Sequence, residues 1–118
     1  MKTNEDAIGN TTIDPDVILT IIRLAVLEVP GVCRMASGPA GIDDLVKKFY
    51  SEGVKIDVED HTIYVDVFLV IYLDVDLRSV ARKVQEEVSR SIEDLVGMNI
   101  GRVDVHIEDI EFRKKETA

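Results

Sequence analysis

Between residues 63 and 112 the chain passes from the alternation of a strand to the spacing of a helix and back to alternation, and this order restricts the fold more than any other feature. In "IYVDVFLVIYL", Ile63, Val65, Val67, Leu69, Ile71 and Leu73 recur at every second position and define the inner face of a long strand. Asp76 then caps a helix whose apolar stripe is Leu77, Val80, Ala81, Val84, Val88, Ile92 and Leu95, and Gly97 is placed to end it in a left-handed conformation. "GRVDVHIEDIEF" alternates again, with Val103, Val105 and Ile107 inward. A strand, helix, strand unit of this length implies a right-handed crossover and a parallel pair within one sheet.

The flanking segments add to that unit. Val54, Ile56 and Val58 alternate with Lys55, Asp57 and Glu59, and "EDHT" supplies a turn, so residues 54 to 73 read as an antiparallel hairpin. Upstream, Asp14 as N-cap, Pro15 at the first helical position and Pro30-Gly31 at the end bracket a helix. Its core-facing positions are Ile18, Ile21, Ile22, Ala25 and Val29, widened by Val17, Leu24 and Val26. The middle, "CRMASGPAGIDDLVKKFYSEG", reads as a loop followed by a short helix capped by Asp43, with Leu45, Val46 and Phe49 inward. The expected fold class is α/β of the α+β type: a small mixed sheet, an antiparallel hairpin, a strand-helix-strand crossover, and two main helices on one face. A polar lead-in over 1–11 precedes one domain over 12–112, and a charged tail occupies 113–118.

Composition narrows function mainly by exclusion. A formal charge of -9, with Lys and Arg interspersed among acids, repels a phosphate backbone or an anionic lipid surface, so no nucleic-acid partner is expected. The apolar runs are broken by charge or too short to span a bilayer, and the N-terminus lacks the basic and apolar regions of a signal peptide. Direct membrane insertion is not expected, and the cytoplasm is the expected location. A single cysteine, Cys33, offers neither an internal disulfide nor a thiolate zinc pair.

On the long strand, the face opposite the core carries Tyr64, Asp66, Phe68, Val70, Tyr72 and Asp74. The acids stand toward its ends and read as a solvated sheet face. The apolar centre is either an interaction surface or a patch covered by the lead-in, the middle loop or its short helix. As an interaction surface it comprises Phe68, Val70 and Tyr72, with Asp66 and Asp74 setting register, and Phe68→Asp is then expected to weaken assembly while leaving the fold intact. A competing class is a ligand- or metal-binding regulator, or an enzyme, built on Asp66, Asp104 and His106. Cys33 with His61 or His106 as base is the only conventional nucleophile pairing, against which stands the position of Cys33 at the exit of a buried helix. No phosphate-loop or H-E-x-x-H pattern is present, and no cofactor or metal is expected.

The order "IDPDVI", "AVLEVPGV", "GVKIDVED", "IYVDVFLVI" and "VARKVQEEVSRSIEDLVGMNIGRVDVHIEDI" resembles the bacterial alkaline shock protein family, also called envelope stress response proteins, over about residues 12 to 110. The resemblance implies a small domain without known catalytic activity, tied to cell-envelope stress and found in the cytoplasm. It also implies self-association into higher-order structures, or tethering to an integral membrane protein, as in some members. Where relatives often carry Gly and then a polar residue before the second helix, and Pro near its start, this chain has Asp74, Asp76 and Arg78. The family's recurring residues, among them Pro30, Gly31, Gly53, Val80, Val84, Gly97 and Val105, read as turns and core positions, with no catalytic motif to carry over.

Overall fold

The computed structural model describes residues 10–38 and 49–113. Within them two helices pack on one face of a five-stranded sheet, an α+β fold whose pairs are antiparallel except one. Helix α1 is Pro15–Leu27, strand β1 Val32–Met35, β2 Phe49–Ser51, β3 Val54–Glu59 and β4 Thr62–Tyr72. Helix α2 follows over Leu77–Ser91 and strand β5 over Asn99–Glu111. The lead-in up to residue 9, the short helix expected around Asp43, Leu45 and Val46, and most of the charged tail lie outside the described residues.

Strand β4 organises the sheet. Its inner residues Ile63, Val65, Val67, Leu69 and Ile71 are fully buried and meet Ile18, Leu19, Ile22 and Val26 of α1 and Val80, Val84 and Val88 of α2. Strand β3 pairs with it antiparallel from Glu59↔Thr62 to Val54↔Val67, joined by Asp60 and His61, whose positive φ angles suit a two-residue hairpin turn. Strand β5 runs parallel to β4 on the opposite edge, from Thr62↔Asn99 to Tyr72↔Glu111, as the crossover requires.

Strands β1 and β2 lie where a loop and a helix were expected. Phe49, expected to face inward from a helix, begins β2 and stands exposed at the sheet's edge. Strand β1 takes up the part of β4 beyond the reach of β3, pairing Val32 with Ile71 and Met35 with Leu69. The two strands therefore abut end to end along one edge of β4. At the junction Phe68 N–H donates to Gly53 C=O (2.9 Å) and Phe68 C=O accepts from Ala36 N–H (2.7 Å).

Helix ends show where local rules hold. The Asp76 Oδ1 atom accepts from the N–H groups of Arg78 (3.0 Å) and Ser79 (3.3 Å), so the α2 cap is made as expected. Asp76→Ala is expected to lower stability by about 1 kcal/mol in urea unfolding. Asp14 occupies the N-cap of α1, but its side chain makes no cap bond; its backbone carbonyl accepts from Val17 and Ile18 instead. After Ser91 the chain widens into one π-helical turn, Ile92–Val96, closed by a 2.9 Å bond from Gly97 N–H to Ile92 C=O, with Gly97 left-handed as expected. The extra residue in that turn shifts the phase, so Val96 packs against the core and Leu95, expected inward, is exposed. At the other end Leu77 is exposed too, as is Leu73 just past β4.

Candidate functional site

The outer face of the sheet holds the residues singled out from the sequence, and it divides into three zones along β4. In the first, Lys55 of β3, Asp66 of β4 and Asp104 of β5 stand side by side in register. His106, level with Phe68, reaches back so that its Nε2 lies 2.9 Å from Asp66 Oδ1, while Lys55 Nζ approaches the other oxygen at 3.9 Å. Asp104 accepts a 2.6 Å bond from Arg102 Nε, and the Arg102 guanidinium lies 5.5 Å from the centre of the Tyr64 ring. Lys55, Asp57, Glu59, Tyr64, Asp66 and Arg102 line an open depression of about 290 Å³.

The middle zone is closed. Phe68 and Val70 are 5% and 2% exposed, packed with Ala36 and flanked by Cys33 and Tyr50. The Tyr50 hydroxyl donates to Ser37 C=O and accepts from Gly53 N–H (3.3 Å), which pins the segment after β1 across the sheet. On the other side the His106 ring stacks on Phe68 with centroids 4.7 Å apart and planes 16° from parallel. Of the two readings of this apolar centre, covering is what the structure shows. Phe68 and Val70 do not form a free surface, and the expectation that Phe68→Asp leaves the fold intact falls with that surface.

The third zone gathers Cys33, Arg34, Tyr72, Asp74, Glu111 and Arg113. Arg34 forms a 2.6 Å ion pair with Glu111, and this hydrogen bond, then its charge, raises the guanidinium pKa above its usual value. The Cys33 thiol lies 3.6 Å from the other Glu111 oxygen. Arg113 pairs with Asp74 at 2.9 Å while its guanidinium sits 4.1 Å from the centre of the Tyr72 ring. Hydrogen bonding to Cys33, then the electrostatic effect of that side chain, raises the Tyr72 phenol above its ordinary pKa, with Arg113 opposing.

The chemistry-bearing residues are thus only partly brought together. Asp66 and His106 meet, but Asp104 is turned to Arg102, and among the described residues no three His, Cys, Asp or Glu side chains converge as a metal site would require. Cys33 faces Glu111 and Tyr72, while His106 joins Asp66 and His61 lies 3.2 Å from Gly97 C=O at the foot of the hairpin. The middle zone separates these groups.

Fold and face together define a small α+β domain whose outer sheet surface is a run of ion pairs around an apolar plug. Matching the family model over residues 3–112, the chain belongs to the alkaline shock protein 23 family, described as having a cell envelope-related function. It is 31% identical over 117 residues to the uncharacterized protein YqhY of Bacillus subtilis (strain 168), covering 98% of this chain and 87% of that one. It is 32% identical over 106 residues to the uncharacterized protein Spy1614 of Streptococcus pyogenes serotype M6, covering 86% and 88%. Among solved structures, two variants of the MamM CTD align with TM-scores of 0.51 and 0.52 at 17% and 16% identity. They cover 81% and 83% of this chain and 96% and 100% of theirs, a likeness that shows the fold alone.

Proposed function

We propose that this chain is a non-enzymatic interaction protein of cell-envelope homeostasis. It works from the cytoplasm by self-association or by docking to a membrane-anchored partner. Its family's envelope-related function sets the context. Among the described residues no helix is long and apolar enough to cross a membrane, so in this reading contact with the envelope runs through another protein.

The observation that carries the reading is apolar surface left open beside a completed core. On α1, Val17, Leu24 (55% exposed) and Leu27, preceded by Ile13, form a stripe on the side away from Ile18, Leu19, Ile22 and Val26. Aligned apolar side chains on an acidic surface fit recognition better than solvation.

Exchanging both Val17 and Leu24 for glutamate is expected to leave the melting temperature within about 2 °C, because neither side chain is buried. The same exchange should reduce recovery of the chain with detergent-extracted envelope protein. A wild-type chain that neither self-associates nor is retained by envelope protein would overturn the reading.

A further inference from the structure

Strand β5 is the longest strand of the sheet and, among the described residues, pairs on one side only. In a parallel pair alternate residues turn both backbone groups to the same side. The carbonyl of Val103 is directed away from β4, since it accepts a 3.1 Å bond from Gln85 Nε2 reaching out of α2. By alternation Val105 and Ile107 present their N–H and C=O groups to the same open edge. The helical layer covers β4 throughout but leaves Ile107 and Ile110 of β5 exposed. A long open edge with apolar side chains is a template for another strand.

We propose that the occupant of this edge is a second copy of the chain, its β5 antiparallel to the first about a two-fold axis at Val105. The charge pattern of the strand selects both occupant and register. Centred on Val105, Arg102, just after the register shift at Gly101, comes opposite Glu108 of the second copy, which stands at the matching shift between Ile107 and Asp109, and Asp104 escapes a like-charged neighbour. On the helix side Val103 meets Ile107, and Ile100 meets Ile110. Moving the axis to residue 104 sets Asp104 against itself. Moving it to residue 106 sets Asp104 against Glu108. Like charges directly opposite are unfavourable and opposite charges favourable, so the strand complements its own reversed copy in one central register. The Val103 carbonyl has a second lone pair, so Gln85 does not block the ladder.

This interface rests on the self-association half of the proposed function and gives it a place. A charge of -9 on each copy opposes association at long range, so the dimer should form at about 0.15 M salt and weaken in dilute buffer. The test is sedimentation equilibrium from about 1 to 200 µM on the full chain. Arg102→Glu and Glu108→Arg should each raise the dimer Kd about tenfold, because each reverses two pairs per dimer, and the double exchange should restore it. Val105→Pro removes an outward N–H from an edge strand, where proline is tolerated, and should abolish the dimer with circular dichroism unchanged. A wild-type chain that stays monomeric overturns the interface and leaves docking to a membrane partner standing. A dimer indifferent to the charge exchanges, yet weakened by the α1 glutamates, overturns the interface and keeps self-association.

Discussion

Phe68→Asp is expected to unfold the chain or leave it close to unfolding at room temperature. The ring is buried on the outer face between Ala36, Val70 and the stacked His106 imidazole, and the segment from Ala36 to Gly38, held by Tyr50, closes over it. Losing a buried phenylalanine costs about 3–5 kcal/mol before any charge is considered, against about 5–15 kcal/mol for the whole stability of a typical domain. A carboxylate adds its own desolvation, and the stacked His106 ring already directs its Nε2 to Asp66. Phe68→Leu keeps an apolar side chain there and should cost only about 1–2 kcal/mol. Urea unfolding of the two variants separates the cases. A Phe68→Asp chain with the wild-type midpoint would show that the outer face is not closed. Loss of assembly in this variant would report unfolding, so the charge exchanges on β5 are the better probe of association.

The closure of that face shows where the sequence was legible and where it was not. Hairpin, crossover helix and parallel strand follow from periodicity because each buries one regular face, and the fully buried set from Ile63 to Ile71 falls on the alternation. Strand β1 has no such signal: four residues including an exposed Arg34 are too few to show a period, and pairing with β4 is what makes them a strand. The clue lay in β4 itself. The run "VFLVI" is apolar on both faces, as in a strand buried on both sides, and β4 outruns the six residues of β3, so the remainder needed another neighbour. The meeting of Asp66 with His106 follows from the β4–β5 register, which alternation alone leaves open by two-residue steps. The turn of Asp104 toward Arg102 is a rotamer choice that no pattern encodes.

Gly53→Ala is expected to cost about 3–4 kcal/mol, against about 1 kcal/mol for Gly97→Ala, although both glycines have positive φ angles, +85° and +76°. Backbone strain is common to the two, so the difference isolates space. At Gly97 an added Cβ meets nothing within 4 Å. At Gly53 it would lie 2.5 Å from the Ala36 carbonyl oxygen and 3.1 Å from that of Phe68. The segments that carry the two oxygens are tied together. Phe68 C=O is held by Ala36 N–H, and Gly53 C=O by Phe68 N–H, in the junction where β1 and β3 abut on β4. Relief of the clash requires the strand ends to separate, which uncovers Phe68. The Gly53→Ala chain should therefore lose the protection of the Phe68 and Ala36 amides from hydrogen exchange before it unfolds globally, whereas Gly97→Ala should leave them protected. Equal costs for the two substitutions would mean that the sheet edge yields at this junction and that the cover over Phe68 is not tied to it.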